Sequence, residues 1–101
     1  MKNGIELISE ERQRQIDKEG WTPEHDDQHT DGELSSAASV YAMKNELREL
    51  DILAQDIYTL GEGMWPFNSK WYKPTPDDRV RELTKAGALI AAEIDRLQRQ
   101  E

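Results

Sequence analysis

Thr75-Pro76-Asp77-Asp78-Arg79-Val80-Arg81-Glu82-Leu83-Thr84-Lys85-Ala86-Gly87-Ala88-Leu89-Ile90-Ala91-Ala92-Glu93-Ile94-Asp95-Arg96-Leu97 is the stretch that decides the fold. It opens with residues that start helices: Thr accepts from orphan amides, Pro suits the first turn and acids favour the positive end. Val80, Leu83, Gly87, Ile90, Ile94 and Leu97 then recur at helical spacing, which predicts a helix from Pro76 nearly to Glu101. Ala86, Gly87, Ala88, Ala91 and Ala92 are small enough to let a neighbouring helix approach closely. Gly87 costs about 1 kcal/mol against Ala inside a helix, and close packing is the natural offset.

Upstream, Gly61 to Pro74 is irregular, broken by Gly61, Gly63, Pro66 and Pro74. Trp65, Phe67, Trp71 and Tyr72 make it aromatic, so it must fold back on the molecule or offer its rings to a ligand. Residues 45–60 read as a helix with Leu47, Leu50, Ile52, Leu53, Ile57 and Leu60 on a broad apolar face. Leu34, Ala37, Ala38, Tyr41 and Ala42 form another helical face, again of small residues, after Thr30-Asp31-Gly32-Glu33 at capping-box spacing. Thr22-Pro23-Glu24 starts a short turn, and residues 4–19 read as a first helix stopped by Gly20. No strand pattern, repeat or low-complexity tract emerges. The expected architecture is all-α: one domain over residues 1–101, a bundle of about four helices with a Trp-rich loop folded across it.

The chain has 101 residues, 36% hydrophobic and 34% charged, with a net charge of −8. That charge disfavours nucleic acid, which an acidic surface repels. Cysteine is absent, excluding disulfides and thiolate metal sites and fitting a reducing compartment. No apolar run approaches the about 18 residues of a membrane span, and the first residues lack the apolar core of a signal peptide. A cytoplasmic protein with no membrane partner is therefore expected, associating with copies of itself through its small-residue faces.

The densest chemistry lies between Gly20 and Leu34. This run holds both histidines, Trp21, five carboxylates (Glu24, Asp26, Asp27, Asp31, Glu33) and no Lys or Arg. His25 and His29, four apart, would share a face of one helical turn, and with Asp26, Asp31 or Glu33 are candidates to hold a divalent metal. The plainer alternative has His25 capping a turn and the acids favouring helix N-termini. A second combination uses the same run differently. Trp21 and Trp71 are candidates to stack on a base, Glu24, His25, Asp26 and Asp27 to read base or ribose, and Lys73, Arg79, Arg81 and Lys85 to meet phosphate. Here the alternative is that the indoles are core and the cations pair with nearby acids. Nothing resembles a Ser-His-Asp set or a glycine-rich phosphate loop.

Glu11-Arg12, Gln15, Glu19-Gly20-Trp21-Thr22-Pro23-Glu24-His25-Asp26-Asp27, His29, Gly32-Glu33-Leu34, Ala37-Ala38, Tyr41-Ala42, Trp65-Pro66, Trp71, Lys73-Pro74 and Arg81 through Leu97 together resemble a widespread set of small phage and prophage proteins. The resemblance covers most of the chain apart from roughly residues 43–62 and implies a phage-related origin, hence the host cytoplasm. Arg12, Arg14, Gly20 and Trp21 with the following acids also resemble the start of RyR-type domains, which implies a nucleotide-derived ligand. The Glu33-Leu34 and Leu83-to-Ile94 helices resemble all-α nucleotide pyrophosphohydrolases of the MazG type, which hold magnesium on paired acids. There His29 and Thr30 replace the first two acids and Ala88 the later aspartate, leaving Glu24, Asp27, His29 and Glu33 as substitute ligands. Three functions follow as expectations. The first is a phage binding protein for a nucleotide or nucleotide-derived signal, sequestering an immune messenger as counter-defence. The second is a metal-dependent pyrophosphohydrolase. The third is an acidic inhibitor that docks on a host enzyme.

Overall fold

The computed structural model describes residues 1–51 and 59–100, and it is all-α. Six α-helices and one 3-10 turn occur among the described residues: α1 (Gly4–Glu19), α2 (Pro23–Asp26), α3 (Glu33–Ala42), α4 (Asn45–Arg48), α5 (Leu60–Met64), the turn Ser69–Trp71, and α6 (Arg79–Arg99). The count exceeds the expected four because the middle of the chain breaks into short pieces.

α1 begins in a capping box: the Asn3 side chain accepts from the Glu6 amide and Glu6 accepts from the Asn3 amide. It ends at Gly20, whose φ of +74° suits glycine, and the Trp21 amide donates back to the Gln15 carbonyl at 3.0 Å. That reversal turns Trp21 toward the rest of the molecule. Thr22 caps α2 through the His25 amide, as its sequence predicts.

Three local expectations are corrected. Thr30 does not cap α3. Gly32 does, at φ +79° and with no side-chain cap, while Glu33 accepts from the Asp31 amide. The long helix starts at Arg79, not Pro76, because Asp78 accepts from the Arg81 amide and serves as its cap. The expected helix over 45–60 is not continuous: α4 ends at Arg48, Asp51 pairs with Thr59 in an isolated bridge, and Thr59 with Glu62 forms a new capping box for α5. Residues 52–58 of that expectation lie outside the described residues.

The core is α3 against α6. Leu34, Ala37, Ala38 and Tyr41 meet Ala86, Leu89 and Ala92, with Trp21, Trp65, Phe67 and Tyr72 packed at the margin. α1 crosses α6 where Ile8 fills the notch at Gly87. Thus the small-residue faces of α3 and α6 cover one another within the chain and are not available for self-association. The large aliphatics of α6 follow the other side: Val80, Leu83, Ile90, Ile94 and Leu97 are 46–63% exposed.

Polar groups complete the interior. Arg48, 1% exposed, pairs at 2.7 Å with Glu82, 0% exposed, which also accepts from Arg79 and from the Thr75 amide. Burial alone would raise the Glu82 carboxyl, but hydrogen bonds from Arg79 and Arg48 outweigh it and the pKa lies below the usual range. On α1 the buried residues are Glu11 and Gln15. Glu11 binds Arg14 at 2.8 Å and Arg81 at 2.7 Å. Its pKa too is lowered, burial being overcome by those two guanidinium groups.

Candidate functional site: an aromatic cleft

The end of α1, α2 and the Trp-rich loop enclose a cavity of about 280 Å³. Trp21, His25, Asp26 and His29 line it from one side, Phe67, Asn68 and Trp71 from the other, with Glu19 and Leu34 between. A smaller recess of about 40 Å³ shares Glu19, Trp21 and Trp71 with it and continues to Gln15, Lys73 and Lys85. The early His-and-acid run and the later tryptophan bend therefore meet on one concave surface.

The loop is held there by Tyr41 of α3. Its hydroxyl accepts from the Lys73 amide at 3.1 Å and donates to the Trp71 carbonyl at 3.5 Å. Its ring meets Trp65 edge-on at 5.2 Å, and Trp65 in turn packs on Phe67 and Tyr72. Burial raises the Tyr41 pKa, so the phenol stays protonated and keeps both hydrogen bonds. Trp65, whose Nε1 donates to the Asn68 carbonyl, is thus a structural indole. Trp71 is 39% exposed, with Lys70 and Lys73 ammonium groups 5.2 and 5.9 Å from its ring centre.

The histidine rings and Phe67 meet edge to face in a row. His25 meets His29 edge-on at 4.9 Å and His29 meets Phe67 at 5.0 Å. His29 Nδ1 lies 3.4 Å from Glu33, while its Nε2 is buried with no hydrogen-bond partner. His25 Nδ1, 4.0 Å from Asp26, is likewise buried without a hydrogen-bond partner. In the second recess the Gln15 Oε1 has none either, its Nε2 being directed to Glu11 at 3.3 Å. Buried polar atoms normally find partners; these three have none and belong to residues that line the cleft or its adjoining recess.

Asp26, 1% exposed, is held by Arg12 at 2.6 Å. Burial pushes its carboxyl up and Arg12 only partly opposes this. Lys85 donates to the Lys73 carbonyl at 2.9 Å, its ammonium 5.3 Å from the Tyr41 ring centre; burial, then repulsion from Arg81, lowers its pKa.

Other candidates lie elsewhere. Glu24 is exposed and lines neither recess. Asp27 binds Arg99 at 2.7 Å, which docks α2 on the end of α6. Arg79 caps the C-terminus of α3, donating to the Tyr41, Ala42 and Met43 carbonyls, and Arg81 is paired with Glu11. Neither guanidinium faces the cleft as a phosphate ligand. The metal quartet does not assemble: Asp31 is exposed, the Glu33 carboxylate is shared between the Asp31 amide and His29, and no group of three or more His, Cys, Asp or Glu among the described residues is placed to hold a metal. The substitute magnesium set of Glu24, Asp27, His29 and Glu33 fails the same test. Glu19, Asn68 and Gln15 are among the lining residues that sequence reasoning passed over as site members; Glu19 and Gln15 stood inside the quoted motif, but nothing in the sequence singles out Asn68.

No family model, curated protein or solved structure matches the chain. No helix among the described residues is long and apolar enough to cross a membrane.

Proposed function

We propose that this protein binds a nucleotide or nucleotide-derived signal in the Trp21–Trp71 cleft and, as a phage-encoded protein, sequesters such a messenger in the host cytoplasm as counter-defence. The observation that carries the reading is the joining of an aromatic cavity to a lysine-flanked recess. A flat base needs π faces, which Trp21, Trp71 and the His25–His29 pair supply. Its polar edge needs hydrogen-bond partners, and His29 Nε2, His25 Nδ1 and Gln15 Oε1, which have none in the protein, belong to residues lining the cleft or its recess. Its phosphate needs cations, and Lys73 and Lys85 stand at the far end of the shared wall. At about 280 Å³ the main cavity sits near the lower bound of ligand pockets, about 300 Å³, which favours a single base over a larger planar group.

Binding, not turnover, is the role this chemistry supports. Arg12 pairs with Asp26, Arg14 holds Glu19 at 3.0 Å, and among the described residues no carboxylate set gathers for a metal. Calorimetric titration against nucleoside mono- and diphosphates and cyclic dinucleotides tests it. Micromolar binding of at least one member is expected. Absence of heat for every member at high micromolar concentration refutes it.

A further inference from the structure

Three carboxylates line the cleft and its recess: Glu11, Glu19 and Asp26. Both Glu11 oxygens are engaged by Arg14, and Asp26, 1% exposed, has Arg12 on its Oδ2. Glu19 differs. It closes α1, lines both spaces, and gives Arg14 only its Oε1, at 3.0 Å. Among the described residues nothing hydrogen-bonds its Oε2. Arg14 is itself tied to Glu11 through Nε and Nη2, so it holds the Glu19 carboxylate in a fixed place. Two of the three unpartnered buried atoms here are acceptors as well. Gln15 gives its Nε2 to Glu11, and its Oε1 is left with no donor. His29 turns Nδ1 toward the Glu33 carboxylate at 3.4 Å, which draws the ring hydrogen there and makes Nε2 the acceptor. A ligand that satisfies these groups brings N–H donors. Asn68, across the cleft, has the opposite character: its Oδ1 accepts from the Lys70 amide at 3.0 Å, so its Nδ2 hydrogens are what it has to offer.

We propose that the base taken by the cleft is guanine, its N1–H and N2 amino group donating to Glu19 and its O6 accepting from Asn68, an assignment that rests on the nucleotide reading above. Among the common bases guanine alone carries two adjacent donors on its pairing edge. Adenine and cytosine set a ring-nitrogen lone pair beside their amino group, and that lone pair would face the oxygens of Glu19. Uracil has a single N–H between two carbonyls. Hypoxanthine keeps the N1–H of guanine but has no amino group, so one acceptor of the carboxylate goes unanswered. A site built to hydrogen-bond a donor rejects the analogue that lacks it far more strongly than a site that selects by shape.

Calorimetric titration of the unaltered protein with GMP, IMP and AMP tests the assignment. GMP should bind tightest. IMP, which lacks only the N2 amino group, should bind about 10- to 150-fold more weakly, the loss of one hydrogen bond to a charged group. AMP, which turns a lone pair to Glu19, should be weaker still. Glu19→Gln changes a side chain that is 24% exposed, and Arg14 keeps Glu11, so the helical circular dichroism should be unchanged. That variant presents one acceptor where the carboxylate presents two, and it should lose the preference for GMP over IMP. GMP that binds no tighter than IMP or AMP overturns the assignment and leaves the nucleotide reading standing. So does binding by another member of the wider panel with none by GMP, or a Glu19→Gln variant that keeps the full preference. Silence from the three nucleotides and from the rest of the panel takes down the nucleotide reading itself, and guanine with it.

Discussion

Replacing Glu82 by leucine should be the most damaging single change to the fold. Its carboxylate is wholly buried and answers Arg48, itself 1% exposed, at 2.7 Å. Arg48 has two weaker neighbours, the Val40 carbonyl at 3.4 Å and Asn45 at 3.1 Å, and its Nε has none. Removing the anion leaves a guanidinium charge in the interior, which costs about 3–5 kcal/mol when one partner of a buried pair is lost. A chain of this length holds about 5–15 kcal/mol in total, so between a fifth and most of its stability should go. Arg79 contributes little to the loss, because it is 37% exposed and keeps three carbonyl acceptors. Urea unfolding followed at 222 nm measures the change. The pair Arg48→Met with Glu82→Leu should recover most of it, since apolar replacement of both charges is often neutral. A loss below about 1 kcal/mol for Glu82→Leu, or a double variant as unstable as the sum of the singles, refutes the reasoning.

Tyr41→Phe should cost about 1–3 kcal/mol, because the Lys73 amide loses its acceptor, and should weaken any ligand of the cleft by freeing the Trp71 loop; urea unfolding and calorimetry read the two effects. Glu11 and Glu82 have folded pKa values below their unfolded value of 4.5, so their stabilisation is present above pH 4.5 and lost as pH falls through the folded values. Asp26 is shifted upward and works in the opposite sense, regaining stability as pH falls through its folded value. Thermal melts from pH 7 to 3 should therefore decline below about 4.5, and Glu11→Gln should flatten that decline. Trp71→Ala should weaken nucleotide binding by about 5- to 150-fold, the equivalent of the 1–3 kcal/mol of one base–indole stack, as titration calorimetry would show.

The helices with a regular period were readable. α1, α3 and α6 follow their apolar spacing and end near the residues that stop or start helices. Their inward faces were less so. On α6 the sequence displays two apolar stripes, one of alanines and one of large aliphatics, and only three-dimensional packing decides that the alanines go inside. On α1 the inward residues are Glu11 and Gln15, because an arginine from each of two helices waits for the carboxylate; no periodicity of hydrophobic residues encodes that. The break after Arg48 was hidden for the same reason, since Arg48 turns inward to a partner 34 positions later in sequence. In the site, Trp21, His25, Asp26, His29 and Trp71 converge as their clustering and aromatic character led us to expect. The basic residues misled: Arg79 and Arg81 stand at a helix start, where anions bind, but their side chains reach back to carbonyls and to Glu11.

The central claim is that Trp21 and Trp71, and not Trp65, receive the ligand. Proton–nitrogen correlation spectra resolve the three indole Nε1–H groups one by one. Titration with the nucleotide panel should move the Trp21 and Trp71 signals together and leave that of Trp65, bound to the Asn68 carbonyl, in place. Signals that stay fixed for all three indoles, or a shift confined to Trp65, would contradict it.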